Sequence, residues 1–185
     1  MRTKPVLTTQ MKSVGEVMAI GRNFQESLQK ALRGLENGLE GLDPRLSAEA
    51  PDYRDRVVQE IRHPGPERLL WVADAFRAGL ALSAIFNDTW IDPWFLAQIG
   101  DLIDQEQALA DQPLSRLDEP AMRRLKRAGF SDARIARLVG ESESAVRAHR
   151  HGLGVRPVFK RVDSCAAEFA TATAYMYSSY DEENE

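Results

Sequence analysis

The amino-acid sequence predicts a mainly α protein: an irregular helical bundle that contains two helix-turn-helix-like units, with short extended or strand segments at both ends. Apolar residues recur at helical spacing through most of the chain, which is the primary sign of amphipathic helices. N-cap residues, helix-initial prolines and turn glycines divide this periodicity into separate helices. Residues 1–22 and the residues after Arg156 depart from it, because their composition or alternation is typical of extended chain.

The first three predicted helices have clear apolar faces and clear ends. The first begins at Phe24, and Asn37-Gly38 ends it; its apolar stripe consists of Phe24, Leu28, Ala31, Leu32 and Leu35. The second covers about residues 52–62 and ends at the sequence HPGP, because prolines interrupt a helix. The third runs from Glu67 to about Gly79.

The fourth region has the strongest start signal in the chain. Asp92 is a good N-cap and Pro93 suits the first helical position. The stripe predicted to be buried consists of Phe95, Leu96, Ile99, Leu102 and Ile103. Three more helices are predicted at residues 119–128, 131–139 and 142–150, and the sequences RPVFKRVD and YMYSSY alternate in the manner of short strands.

An internal repeat links two of these regions. The sequences FRAGLALSAIFNDTWIDPWFL and KRAGFSDARIARLVGESESAV share a skeleton at an offset of 50 residues. Arg77-Ala78-Gly79 matches Arg127-Ala128-Gly129, and the predicted cap Asp92 matches the predicted cap Ser142. We therefore expect the same packing unit twice, with Ile135, Val139 and Val146 of the second copy facing a core.

Charge is distributed unevenly, which raises the question of nucleic-acid binding. Residues 116–161 hold 12 Lys or Arg against 5 Asp or Glu, although the whole chain has a net charge of −4. A helix-turn-helix DNA-binding protein that uses residues 131–150 is therefore an alternative. However, the positions that would meet the bases include Glu141 and Glu143, and carboxylates oppose the attraction to phosphates. We expect no nucleic-acid partner.

Residues that carry chemistry are sparse. No phosphate-binding glycine loop is present, and His149 and His151 point apart on a helix, so we expect no cofactor, no metal and no catalytic residue in this chain. The carboxylates Asp101, Asp104, Glu106 and Asp111 are interpreted as a solvated helix face, and Trp71, Trp90 and Trp94 as core or interface anchors. The single Cys165 excludes an internal disulfide framework.

Composition is typical of a globular protein with no membrane partner. The chain is 43% hydrophobic and 28% charged, and its apolar runs are too short to cross a bilayer. The first residues lack the pattern of a secretion signal, and a lone cysteine suits a reducing compartment, so we expect a cytoplasmic location.

Three motifs, of which the two flanking ones are long, resemble the large subunit of carbamoyl-phosphate synthetases. These are LTTQMKSVGEVMAIGR (residues 7–22), IDPWFL (residues 91–96) and VFKRVDSCAAEFATATAYMYSSY (residues 158–180), and shorter similar stretches lie between them in the same order. The resemblance implies that residues 1–22 are the tail of a first, carboxyphosphate-forming ATP-grasp half. It implies that residues 23–180 are a helical oligomerisation domain, and that residues 181–185 begin an acidic linker to the second half.

The same resemblance implies a parent enzyme and its partners. In that family two ATP, bicarbonate and ammonia from glutamine yield carbamoyl phosphate for arginine and pyrimidine biosynthesis. ATP and a divalent metal (Mg or Mn) belong to the ATP-grasp halves, and a separate small subunit is the glutaminase. The partners implied are the flanking ATP-grasp domains, the glutaminase subunit and further copies of the large subunit. The chain alone is expected to be inactive.

Polar residues within the two flanking motifs are the candidate interdomain and interface residues, which we expect to fix the register between domains. They are Lys12, Ser13, Glu16, Lys160, Arg161, Asp163 and Glu168. The alternative interpretation is that they are solvated ends of the segment.

Overall fold

The computed structural model describes residues 6, 8–9, 16–110, 112–162, 168–169 and 175–181. Over these residues the protein has eight α-helices, one short 3-10 helix and one two-stranded sheet, so the prediction of a mainly α fold is confirmed. In chain order the helices are α1 Phe24–Gly34, α2 Tyr53–Ile61, α3 Arg68–Arg77, α4 Leu82–Thr89, α5 Pro93–Leu109, α6 Glu119–Arg127, α7 Asp132–Val139 and α8 Glu143–Gly152. The 3-10 helix is Leu114–Arg116.

The chain divides into two compact units. Unit 1 consists of Met1–Val17 and Leu42–Ala108, and unit 2 consists of Met18–Gly41 and Leu109–Glu185. Unit 1 has a core of aliphatic side chains from α2 to α5, and Val57, Ile61, Ile85 and Leu96 in it are fully buried. The core of unit 2 comes from α6, α7, α8 and the residues between them, with Met122, Phe130, Ile135 and Val146 at its centre. Val139, by contrast, is only half-buried.

Side-chain caps set the starts of most helices. Asn23, Asp118, Ser131 and Ser142 each accept a hydrogen bond from a backbone N–H in the first turn of the helix that follows. Asp92 Oδ1 accepts one from the N–H of Trp94 at 2.8 Å. The caps predicted at Asp92 and Ser142 are therefore confirmed.

The predicted repeat is present as two equivalent helix triplets, α3–α4–α5 in unit 1 and α6–α7–α8 in unit 2. In each, the first helix ends at a glycine with positive φ, Gly79 at 72° and Gly129 at 93°. The next N–H donates back to the third-last residue of the helix, from Leu80 to Ala75 at 3.0 Å and from Phe130 to Leu125 at 3.1 Å. Both ends are thus Schellman motifs, which need a residue that tolerates a left-handed backbone.

The predicted apolar stripe of α1 is wrong in part. Leu35 is exposed, whereas Glu26 and Gln29 are buried. Gln29 Nε2 donates to the carbonyl of Ala128 at 2.9 Å, and Glu26 Oε2 accepts from the N–H of Arg22 at 2.7 Å. Buried polar groups are stable where they are hydrogen-bonded, so α1 turns a polar face inward.

The strands predicted at the C-terminal end are confirmed. Strand β1 (Val158–Arg161) pairs antiparallel with β2 (Met176–Ser179), with Val158 opposite Ser179 and Arg161 opposite Met176. At the other end, described residues 16–22 contain no helix. Among the residues that the structure describes, no helix is long and apolar enough to span a membrane.

Candidate interaction site

The structure describes four of the seven predicted interface residues. The other three, Lys12, Ser13 and Asp163, lie outside the described residues. Glu16, Arg161 and Glu168 are exposed, whereas Lys160 is buried. Lys160 and Arg161 are neighbours on β1 and therefore lie on opposite faces of the sheet, opposite Tyr177 and Met176 respectively. Their role in fixing interdomain register stays a prediction.

The two flanking motifs meet at α1 within unit 2, which the sequence did not indicate. Lys30 Nζ on α1 donates to the carbonyl of Ile20 at 2.9 Å and to the carbonyl of Ser178 at 2.5 Å. Arg22 Nε lies 3.3 Å from Asp181 Oδ2. The chain therefore enters and leaves this region of unit 2 close together. No spacing or periodicity in the sequence pointed to this contact.

A buried ion cluster holds α6, α7 and α8 together. Asp132 Oδ1 lies 2.9 Å from Lys126 Nζ, and Arg150 Nη2 donates to Asp132 Oδ2 at 2.8 Å. All three side chains are less than a tenth exposed. Burial lowers the pKa of Lys126 to about 8, against the opposing effect of Asp132. Burial acts to raise the pKa of Asp132, but hydrogen bonds from Arg150 and the charge of Lys126 outweigh it and hold that pKa below its ordinary value.

This ion cluster also positions Tyr180, the last residue of the second flanking motif. Lys126 Nζ lies 5.0 Å, and Arg150 Cζ 5.6 Å, from the centre of the Tyr180 ring, which is within cation–π range. Arg127 Nε donates to the Tyr180 carbonyl at 3.0 Å. Burial raises the pKa of the Tyr180 hydroxyl. The second repeat therefore holds the C-terminal motif in place.

The same contacts weigh against the DNA-binding alternative. Four of the basic residues of segment 116–161, namely Lys126, Arg134, Arg150 and Lys160, are buried. Arg147, on the recognition-like helix α8, pairs with Glu143. Phosphate binding needs exposed cations, so the part of this positive charge that lies inside the protein is unavailable for it.

Unit 1 contains a second buried ion cluster. Because Glu106 belongs to it, the prediction that Glu106 lies on a solvated helix face is wrong. That carboxylate is 3% exposed and accepts from Arg77 Nη2 at 2.6 Å, while Arg77 Nη1 donates to Asp74 at 2.8 Å. Asp74 also accepts from the backbone N–H of Arg45 at 2.8 Å. Glu106 is therefore a structural ion-pair partner, whereas Asp101 and Asp104 are exposed as expected and Asp111 lies outside the described residues.

Aromatic side chains at the turn between α4 and α5 are unexpectedly exposed. The exposed fractions are 79% for Trp90, 54% for Trp94 and 42% for Phe95. The prediction that Phe95 is buried is wrong, because only the next face of α5, with Leu96 and Ile99, meets the core. Of the two roles considered for Trp90 and Trp94, the core role is excluded.

Among the described residues, no three His, Cys, Asp or Glu side chains come together in a group able to hold a metal ion. His149 Nε2 lies 2.8 Å from the carbonyl of Leu117. Cys165 lies outside the described residues.

The fold and these contacts define a helical interaction module. The family model described as the carbamoyl-phosphate synthetase large chain oligomerisation domain matches residues 16–154. The chain belongs to this family.

Curated relatives are similar over nearly the whole chain. It is 62% identical over 180 residues to a carbamoyl phosphate synthase large chain of Xanthomonas campestris pv. campestris, which covers 97% of this chain and 17% of the relative. It is 61% identical over 179 residues to that of Pseudomonas syringae pv. tomato, with the same coverage. For Neisseria meningitidis serogroup A the identity is 62% over 179 residues, covering 97% of this chain and 16% of the relative. The chain thus spans about a sixth of the length of these relatives.

Proposed function

We propose that this chain is the non-catalytic oligomerisation and interdomain-connecting region of a glutamine-hydrolysing carbamoyl-phosphate synthase large subunit. The observation that carries the proposal is the meeting of the two flanking motifs at Lys30 of α1. A connecting domain must hold its incoming and outgoing segments in a fixed relation, and the termini of domains often lie close together. The buried ion cluster around Asp132 stabilises the same arrangement through Tyr180.

The chemistry of the parent enzyme lies outside this region. The large subunit converts bicarbonate, ammonia from glutamine and two ATP into carbamoyl phosphate, for arginine and pyrimidine biosynthesis. ATP and Mg²⁺ or Mn²⁺ are held by the ATP-grasp halves, and we assign no residue of this chain to them.

The boundaries and partners follow from this proposal. Residues 1–22 belong to the tail of the first ATP-grasp half, residues 23–180 to the oligomerisation domain, and residues 181–185 to the linker. The partners are the flanking ATP-grasp domains, further copies of the large subunit and the small glutaminase subunit, in the cytoplasm. The motif residues Lys12, Ser13, Glu16, Lys160, Arg161, Asp163 and Glu168 fix the register between domains.

A domain graft tests the proposal. The matching residues of the Xanthomonas campestris large chain are replaced by this chain, and glutamine-dependent carbamoyl phosphate synthesis and assembly size are measured. We expect both to be retained, and to decrease when Arg161→Ala and Asp163→Ala are combined. Ile61→Ala, which truncates a fully buried side chain of unit 1 outside the flanking motifs, is the control for simple destabilisation. An inactive graft that is fully folded contradicts the proposal, and an unaffected double variant contradicts the assignment of the motif residues.

A further inference from the structure

The turn between α4 and α5 carries an aromatic patch, which we define as Phe86, Trp90, Trp94 and Phe95. The rings of Phe86 and Trp90 lie 5.5 Å apart at an angle of 58°, and those of Trp94 and Phe95 lie 5.0 Å apart at 86°. Trp90 is 79% exposed, so its ring contact covers little of it. Large exposed apolar patches on a protein mark sites of interaction.

Trp90 also occupies a backbone conformation that disfavours it. It is the C-cap of α4, at φ 57° and ψ 21°, and donates its backbone N–H to Phe86 at 2.8 Å. A left-handed conformation is natural for glycine and costly for a bulky side chain. Strained backbone positions of this kind cluster at functional sites.

The second repeat shows that the fold does not require these aromatic residues. The equivalent α7–α8 turn has Gly140 at φ 70° and ψ 29°, with the same backbone hydrogen bond, from Gly140 to Ala136. The positions that match the four aromatic residues at the 50-residue offset hold Ala136, Gly140, Ser144 and Ala145. The same helix–turn–helix geometry thus forms with small residues, and the aromatic patch serves a contact outside the unit.

The chemistry of the patch restricts what can cover it. Asp88 is paired with Arg62 at 2.9 Å, and Asp92 accepts from the N–H of Trp94, so the acidic neighbours are already engaged. Most of the patch is aromatic ring surface, and the indole of Trp90 is 79% exposed. The complementary surface is therefore largely apolar.

The length of the relatives identifies where that surface lies. This chain spans 17% of the Xanthomonas campestris large chain, so most of such a subunit is covalently attached outside it. A covalently attached partner has a high effective concentration and covers the patch at any protein concentration. A second copy would leave exposed indoles on every dissociated subunit.

We propose that the aromatic patch docks, through Trp90 and Trp94, onto a part of the same large chain that lies outside these 185 residues. This inference rests on the proposed function, because it requires the larger subunit. It adds an intrachain contact that is distinct from self-association.

Residue-resolved hydroxyl-radical footprinting tests the inference. The oxidation rate of Trp90 is compared between the isolated chain and the full large chain that contains it, over a range of protein concentrations. We expect Trp90 to react more slowly in the full chain by about fivefold or more, as for a residue in an interface core, and equally so at every concentration. Unchanged oxidation in the full chain overturns the proposal. Protection that develops only as the concentration rises assigns the patch to a second copy and also overturns it.

A variant taken from the second repeat provides the matched test. Trp90→Gly, Trp94→Ser and Phe95→Ala introduce the residues that the equivalent turn already carries. In the full chain we expect this variant to increase the oxidation of the covering surface, whereas Phe159→Ala, which removes an exposed aromatic residue of unit 2, leaves Trp90 protected. If the triple variant is less helical by circular dichroism, Trp90→Gly alone is used. Sedimentation of the isolated chain measures self-association separately, so failure of the proposed function and failure of this contact are distinguishable.

Discussion

Arg22 and Asp181 form an ion pair, with 3.3 Å between Arg22 Nε and Asp181 Oδ2, although they lie near opposite ends of the sequence. The pair sits where Lys30 of α1 bonds both flanking segments. At this point the segment that precedes α1 and the segment that follows β2 lie side by side. The contact is structural evidence for a connecting role, and its energy is measurable.

We expect the Arg22–Asp181 pair to contribute only a little to the free energy of unfolding. The side chain of Arg22 is 55% exposed, and exposed ion pairs contribute roughly 0.2–1 kcal/mol. A double-mutant cycle with Arg22→Ala and Asp181→Ala should give a coupling free energy in that range, decreasing at high salt. A coupling free energy that salt leaves unchanged would contradict the exposed character of this pair.

Asp132 should be among the most sensitive positions in the chain. Its removal leaves Lys126 and Arg150 as buried cations without their carboxylate, and breaking such a group costs about 3–5 kcal/mol. We expect Asp132→Ala to lower the free energy of unfolding in urea by that amount. Glu143→Ala, which breaks the exposed pair with Arg147, is the control and should cost less than about 1 kcal/mol. Equal losses in the two variants would refute the account of the cluster.

The depressed pKa of Lys126 predicts that stability rises in mildly alkaline solution. Its pKa is about 8 in the folded protein, below the ordinary value of about 10.4 that it regains on unfolding. Between these values the unfolded chain binds more protons, so the free energy of unfolding increases with pH. From pH 8 to pH 9.5 we expect a gain on the order of 1–2 kcal/mol relative to Lys126→Met, which lacks the titrating group.

Above pH 10 the ionisation of Tyr180 would also change the free energy of unfolding. Burial raises the pKa of its hydroxyl in the folded protein, so ionisation favours the unfolded chain. A stability difference between the wild type and Lys126→Met that stays flat from pH 8 to pH 9.5 would mean that Lys126 titrates normally.

Substitution by alanine should destabilise the protein more at Gly129 than at Gly79, the equivalent glycine of the first repeat. At Gly129 a Cβ would lie 2.8 Å from the Cα of Glu26, whereas at Gly79 no atom lies within 4 Å. Both have positive φ, so Gly79→Ala should cost about 1–2 kcal/mol from the backbone alone. Gly129→Ala should cost roughly 1–3 kcal/mol more, because α1 must move. Thermal unfolding of the two variants measures the difference, and similar melting temperatures would contradict close packing of Gly129 on α1.

The sequence predicted the helices well because their ends depend on local chemistry. Asp92 and Ser142 cap the helices that follow them, and the glycines at 79 and 129 end α3 and α6, each at the position that its residue type favours. The repeat was visible for the same reason, since both copies use the same turn chemistry.

Burial was predicted less well, because distant contacts decide it. Glu26, Gln29 and Glu106 are polar residues that are buried by virtue of partners far along the chain, which helical periodicity does not reveal. Phe95 and Leu35 are apolar residues that remain exposed, and periodicity alone assigned both to the core. The meeting of Arg22 with Asp181 likewise has no local signal.

Sedimentation velocity of the purified chain over a wide concentration range tests most directly whether this chain is an oligomerisation and connecting region. We expect reversible self-association, with a weight-average mass that rises above 20.7 kDa as concentration increases. A mass that stays at the monomer value up to the highest concentration would contradict it.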